Sequence, residues 1–113
     1  MWLERVEDIR VIGEATSGDE AIALAQTLHP DVVLIDMASP TADGLAATAP
    51  LRVSVPRCAV VLLSLYDDAS MRRRARAAGA ASLVGKQEGV KPLLTAIRRA
   101  GADWRTSLRE WTP

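Results

Sequence analysis

The feature that most constrains the fold is a run of four apolar residues, Val32–Ile35, three of them β-branched, that leads directly into Asp36. A continuous apolar run of this length is typical of a strand buried on both faces, as in a parallel sheet. A second such run, Cys58–Leu65, predicts another buried strand. A carboxylate at the carboxyl end of a strand lies where open α/β sheets place their ligands, but an Asp there is also a common start of a turn. Asp36 alone therefore does not define a site.

Strand-like and helix-like segments alternate along the chain, which predicts a parallel sheet with helices on both faces and right-handed crossovers. The expected strands are residues 9–15, 32–35, 58–65 and 81–84. The expected helices lie between Ser17 and Pro30, in a weak segment at 44–48 cut short by Pro50, at 67–78, and at 90–100, where Gly101 ends the helix. We expect residues 1–101 to form one domain and residues 102–113 to be a tail helix or linker.

Composition limits the class of protein. The 113 residues suffice for one domain, and 49% hydrophobic with 25% charged residues is an ordinary globular balance. Cys58 is the only cysteine, which excludes an intrachain disulfide, fits a reducing cytoplasm and suits a small core residue. No apolar stretch approaches the length of a membrane span, so we expect a cytoplasmic protein with no membrane partner.

Charge is unevenly distributed although the formal net charge is zero. Residues 1–50 hold two basic and nine acidic side chains, whereas residues 51–113 hold twelve basic and five acidic ones. This asymmetry is compatible with a merely solvated surface. It is also compatible with an acidic site at one end and a basic partner-binding face elsewhere.

Three polar residues stand at or just beyond the ends of three successive predicted strands: Asp36, Ser64 and Lys86. Parallel strands bring their carboxyl ends to one edge, so we expect these side chains to converge. The three groups suit a phosphoryl group, because a carboxylate can accept it as a nucleophile and a lysine can pair with its oxygens. A hydroxyl can donate a hydrogen bond to the same group, so that its position reports phosphorylation.

With these residues the chain resembles the receiver domain of bacterial two-component response regulators, in particular the subfamily followed by a helix-turn-helix output domain. The order and spacing of the matching stretches cover most of residues 9–100. They are Val11–Ala15 with Gly18–Ala21, Pro30–Asp36, Pro40 with Asp43–Leu45, Val60–Ser64 with Asp67 and Asp68, Arg76–Ala80, and Leu83–Lys86 with Leu93–Arg98. The resemblance implies a flavodoxin-like, CheY-like doubly wound parallel sheet. The usual first strand and most of the first helix are expected to be missing, as in an N-terminally truncated receiver.

The resemblance also implies site roles for individual residues. These are Asp36 as phosphoacceptor and Mg²⁺ ligand, Ser64 as switch hydroxyl, Lys86 as phosphate-contacting lysine, the backbone carbonyl of Ala38 as a second Mg²⁺ ligand, and Pro40 and Gly44 as shapers of the following loop. Receivers usually hold Mg²⁺ with an acidic pair at the end of their first strand. Glu7 and Asp8 precede the second strand of the family pattern and cannot take that place. With Asp36 as the only carboxylate, Mg²⁺ is expected to bind weakly.

The function implied is that of a receiver in a phosphorelay, phosphorylated by a histidine kinase and switching its partner contacts. A non-phosphorylated pseudo-receiver, or a fragment acting only as an interaction module, stays open as an alternative. We expect a homodimer through the 67–100 face or through an exposed sheet edge. A turnover enzyme is not expected, because a Gly-rich phosphate loop and a Cys/His pair are lacking. Direct nucleic-acid binding is not expected either, because no helix-turn-helix follows in this sequence.

Overall fold

The computed structural model describes the backbone of residues 5–15, 17–37, 43–65 and 67–111, and their side chains except at 43–44 and 103–111. Within this part of the chain, helices and strands alternate. The strands are β1 (Val32–Met37), β2 (Ala59–Ser64) and β3 (Ser82–Gly85). The helices are α1 (Gly18–Leu28), α2 (Asp43–Ser54), α3 (Ala69–Ala78), a short 3-10 turn (Lys86–Glu88) and α4 (Val90–Trp111).

The described strands form a parallel sheet in the order β1-β2-β3. The register begins with Val32 opposite Ala59, and it places Ser64 opposite both Met37 and Gly85. The carboxyl ends of the strands therefore finish together at one edge. The outer side of β1 pairs with no other strand of the described residues.

Each face of the sheet is covered by its own apolar cluster. One face packs on α1, α2 and α3 through side chains such as Met37, Leu51, Leu62 and Met71, all 4% exposed or less. The other face packs on α4, which contributes Leu93, Ile97 and Ala100. Helices cover both faces of the sheet. For this reason the strands are apolar on both faces until Asp36 in the run from Val32 and Ser64 in the run from Cys58.

Local signals in the sequence fix the ends of two helices. The Ser17 side chain accepts a hydrogen bond from the Glu20 backbone N–H at 3.1 Å, which caps the start of α1. The Asp68 carboxylate accepts one from the Met71 N–H at 2.8 Å at the start of α3. Gly79 ends α3 with a φ of 98°, a left-handed conformation that favours glycine.

The strand expected at residues 9–15 does not form, which corrects the sequence interpretation. Ile9 and Val11 instead pack, as irregular chain, against the apolar cluster under α4. Asp8, just before them, accepts two hydrogen bonds from Arg98 of α4, at 2.7 and 2.9 Å. Alternating apolar residues in this segment thus cover the core without joining the hydrogen-bonded sheet.

Two helices run further than expected. The sequence predicts that helix α2 stops before Pro50, but the helix continues to Ser54, because Ala47, Thr48 and Leu51 are buried on one side of it. Helix α4 was expected to end at Gly101 but continues to Trp111. Gly101 lies close to β1, since a Cβ on it would meet Val32 Cγ2 at 3.7 Å. None of the helices in the described part combines the length and the apolarity that a membrane span requires.

Candidate functional site

An ion pair joins the ends of the first and last strands. Asp36 is the fifth residue of β1, and Lys86 is the first residue after β3. The Lys86 Nζ atom lies 2.5 Å from Asp36 Oδ1. The Asp36 side chain is 63% exposed and that of Lys86 is 27% exposed. A pair this open to water stabilises a fold by about 0–1 kcal/mol at most, so it contributes little to the stability of the sheet edge.

Ser64 lies between these two groups in the sheet, at the end of the middle strand. Its backbone neighbours across the ladder, Met37 and Gly85, are the residues adjacent to Asp36 and Lys86 in sequence. The residue is fully buried, at 0% exposure. The structure therefore brings all three predicted polar residues to one sheet edge, with the Asp36 carboxylate exposed and Ser64 buried.

The remaining residues of the predicted site are placed only in part. Ala38 and Pro40 lie outside the described residues. Gly44 is the second residue of helix α2, so it lies within the helix rather than in the preceding loop. Asp8, considered for the usual acidic pair, is bound to Arg98 on α4, in agreement with its expected exclusion from the site.

A second set of contacts, not anticipated from the sequence, surrounds the turn that carries Lys86. The Gln87 side-chain amide donates to Asp67 Oδ1 at 3.1 Å. The Gly85 backbone N–H donates to Glu88 Oε2 at 2.7 Å. Arg72 from α3 lies 3.5 Å from Asp67 Oδ2. Gln87 and Asp67 are 20 residues apart and follow different strands, so no local sequence pattern connects them.

A basic groove runs along the outer edge of β3, between α3 and α4. It has a volume of about 510 Å³. Arg72, Lys91 and Arg99 supply its positive charge, with Glu88 as its acidic member. All of these residues belong to the basic second half of the chain.

The donor set for a metal ion is small. Among the described residues, no three His, Cys, Asp or Glu side chains are grouped so that they could hold a metal. At the sheet edge itself, Asp36 offers a carboxylate that already contacts Lys86. Mg²⁺ is commonly held by only one or two carboxylates, with water and phosphate oxygens completing its shell. A single carboxylate is therefore the minimum that such an ion accepts.

Comparison with known proteins identifies the class. Residues 1–98 match the family described as the response regulator receiver domain, and the chain belongs to this family. Receiver domains serve phosphorelay signal transduction; they interact with histidine kinases, generally bind Mg²⁺ at the phosphorylation site, and are generally not enzymes. The resemblance seen in the sequence is thus confirmed, and so is the CheY-like α/β fold.

Among curated proteins, the chain is similar to the response regulator GacA of Pseudomonas aeruginosa, with 36% identity over 103 residues. That match covers 91% of this chain and 48% of GacA. The chain is also similar to VraR of Staphylococcus aureus, with 35% identity over 98 residues, covering 87% of this chain and 47% of VraR. The chain thus spans about half the length of these relatives.

Solved structures show the same fold. The signal receiver domain of the response regulator NarL from Mycobacterium tuberculosis superposes with a TM-score of 0.77 at 29% identity, covering 88% of this chain and 81% of that domain. A LuxR-family response regulator from Aurantimonas gives a TM-score of 0.75 at 25% identity, covering 90% of this chain and 75% of its own.

Proposed function

We propose that this receiver domain accepts a phosphoryl group on Asp36 from a histidine kinase and that phosphorylation changes its contacts with partners. The observation that carries the proposal is the contact between Lys86 and the exposed Asp36 carboxylate, with Ser64 at the adjacent register of the sheet. An accessible carboxylate, a cation on one of its oxygens and a neighbouring hydroxyl are the groups that phosphoryl transfer to an aspartate uses.

In the proposed reaction an oxygen of Asp36 attacks the phosphorus of a phosphohistidine. The new P–O bond forms as the P–N bond breaks, and the leaving imidazole takes up a proton. Lys86 is already at Asp36 Oδ1 and can pair with the phosphoryl oxygens without a large movement. Because Ser64 is buried, its hydroxyl can meet the phosphoryl group only after a local shift, which is the proposed switch between two surface conformations.

The proposed Mg²⁺ site is weak. Asp36 is the carboxylate that would face the ion, and its contact with Lys86 leaves a donor set at the lower limit for this metal. The backbone carbonyl of Ala38 and the loop roles of Pro40 and Gly44 are part of the same proposal. When bound, Mg²⁺ would neutralise charge on the transferred group.

The proposal extends to the setting of the domain. GacA is a response regulator and one structural relative is of the LuxR family, so we infer a role in transcription regulation through an output domain. Residues 1–101 would be the receiver unit and residues 102–113 the tail or linker, although helix α4 continues across that boundary. A cytoplasmic location, no catalytic turnover and no direct nucleic-acid contact by residues 1–113 complete the proposal.

The proposed partner surface is the 67–100 face, which contains the basic groove along β3. Lys91 and Arg99 in this groove complement the acidic first half of a second copy of the chain. The unpaired outer edge of β1 is the alternative site of homodimer formation.

The direct test is incubation of the protein with acetyl phosphate, with and without Mg²⁺, read as mass gain on the intact chain. We expect a gain of one phosphoryl group that increases with Mg²⁺ at millimolar concentrations. Asp36→Asn should abolish the gain in mass. Asp19→Asn, a matched change at an exposed position of helix α1, should leave the gain intact. Labelling that persists in Asp36→Asn would contradict the assignment. A folded wild-type protein that gains no mass would favour the pseudo-receiver interpretation.

A further inference from the structure

We propose that Gln87 and Asp67 form a latch that positions Lys86 against Asp36. The effect of this latch on phosphoryl uptake rests on the proposed function, but its effect on the placement of Lys86 does not. The latch is the hydrogen bond from the Gln87 side-chain amide to Asp67 Oδ1, at 3.1 Å. Gln87 directly follows Lys86 in the 3-10 turn, and Asp67 lies in the segment between β2 and α3. The latch therefore ties the loop after the phosphate-contacting lysine to the loop after Ser64.

A second contact fixes the other flank of the same turn. The Glu88 carboxylate accepts a hydrogen bond from the Gly85 N–H at 2.7 Å, so the residues on either side of Lys86 are both restrained. Gly85 makes this arrangement possible. A Cβ at this position would lie 2.6 Å from Asp67 Oδ2 and 3.0 Å from Glu88 Oε2, and both carboxylates would have to move.

Arg72 supports the latch from helix α3. Its Nε donates to the Asp67 backbone carbonyl at 2.9 Å, and its Nη2 lies 3.5 Å from Asp67 Oδ2. This guanidinium offsets the negative charge of Asp67, whose carboxylate lies near that of Glu88 around Gly85. Arg72 contacts Oδ2 of the Asp67 carboxylate, and Oδ1 of the same group accepts the hydrogen bond from the Gln87 amide.

Lys86 needs such support because its own ion pair is weak. A lysine side chain loses rotamer freedom when it is held in place, and a pair with an Asp36 that is 63% exposed returns little energy in water. A backbone fixed on both sides of Lys86 lowers the number of positions that its ammonium can sample. Gln87 touches neither Asp36 nor the phosphoryl group in this scheme, so it is a positioning residue that acts through Lys86.

The first test measures the placement of Lys86 without any phosphoryl group. The chain has only two lysines, Lys86 and Lys91, so trace acetylation followed by peptide mass spectrometry gives the reactivity of Lys86 relative to an internal reference. We expect Gln87→Leu to raise this ratio about threefold, the effect of losing one exposed hydrogen bond. Gln26→Leu, which changes the only other glutamine at an exposed position of helix α1, should leave this ratio unchanged.

Asp36→Asn serves as the reference for a released Lys86 in the same assay. A ratio that rises in Asp36→Asn but not in Gln87→Leu would overturn the latch. A ratio that rises in neither variant would overturn it too, because Lys86 would then not be held at all.

A charge-swapped pair separates positioning from general damage to the fold. Gln87→Glu places a carboxylate opposite Asp67 and should raise the Lys86 ratio. Adding Asp67→Asn supplies an amide donor on the other side, and the double variant should return toward the wild-type ratio. A purely structural defect would not be repaired by this reversal, so a double variant no better than Gln87→Glu would contradict the proposal.

The second test follows phosphoryl uptake from acetyl phosphate. We expect Gln87→Leu to lower the maximum rate about threefold at an unchanged melting temperature, while Gln26→Leu has no effect. If the wild-type protein takes up no phosphoryl group, the proposed function fails and the acetylation ratio still decides the latch. If the wild type is phosphorylated and Gln87→Leu is equally fast, the latch does not act on the reaction.

Discussion

At the scale of single residues, the proposed phosphoacceptor Asp36 is accessible, whereas the proposed switch residue Ser64 is buried. The Asp36 side chain is 63% exposed, which leaves room for a bulky phosphodonor to approach it. Ser64, at 0% exposure, lies inside the sheet edge. In the proposed mechanism, a phosphoryl group arriving from solvent meets the Asp36 carboxylate and Lys86 first, and engages the Ser64 hydroxyl only after a rearrangement of the interior.

Cys58 allows a prediction at this same scale. Burial raises the pKa of its thiol to about 11, although the nearby Arg52 acts in the opposite direction. The shift from the ordinary value of 9.0 lowers the thiolate population near pH 8 about 100-fold. We expect a disulfide reagent to label the native protein very slowly at pH 8 and to label the urea-unfolded chain rapidly. Native labelling as fast as that of the unfolded chain would show that Cys58 is not held in the core.

The meeting of Asp36, Ser64 and Lys86 could be predicted from the sequence because each lies near or just beyond the end of an apolar run. Parallel strands bring these ends to one edge of the sheet. The contact between Gln87 and Asp67 could not be predicted from the sequence in the same way. Their contact depends on how far the two loops bend toward each other over Gly85, and the spacing of residues along the chain does not encode that distance.

At the scale of elements, the segment 5–15 depends on a polar tether to α4. The hydrogen bonds from Arg98 hold the pKa of the Asp8 carboxyl below its usual value of 3.8. Because the pKa of Asp8 is lowered, the stabilisation that its pair with Arg98 gives is present above pH 3.8 and is lost as the pH falls below that value. We expect the amide resonances of Ile9 and Val11 to shift with the titration of Asp8 in this acidic range.

The same tether can be removed at neutral pH by substitution. Asp8→Asn should increase tryptic cleavage after Arg10 about twofold, a change typical of losing one exposed ion pair. Glu7→Gln, which removes the neighbouring carboxylate but leaves the Arg98 pair, is the matched control. Equal cleavage of the two variants would mean that the apolar contacts of Ile9 and Val11 alone hold the segment.

Element boundaries were harder to predict than element types. The capped helices α1 and α3 were recognised because their signals, Ser17 and Gly79, act locally. Alternating apolar residues at 9–15 predict a strand, but the same alternation also arises in irregular chain that covers a core. Pro50 and Gly101 predict helix ends, but tertiary burial around Leu51 and against Val32 outweighs their low helix propensity.

At the scale of the whole molecule, the uneven distribution of charge provides two surfaces of opposite charge. The basic groove at β3 and the acidic first half of the chain can meet between two copies. We expect a dimer in light scattering that dissociates as salt is raised, because the contacts are exposed and screened. Arg99→Glu in the groove should weaken it, whereas Arg73→Glu on the exposed side of α3 should not. A salt-resistant dimer insensitive to Arg99→Glu would point to the β1 edge, and a monomer at all concentrations would contradict both surfaces.

The contact between Asp8 and Arg98 has a consequence for the order of folding. It joins residues 90 positions apart, so forming it early would close a very long loop for the sake of one exposed pair. We therefore expect the sheet and its crossover helices to assemble first, and the segment 5–15 to dock afterwards onto the surface that they form. Substitutions at Asp8 should for this reason accelerate unfolding and leave the folding rate nearly untouched.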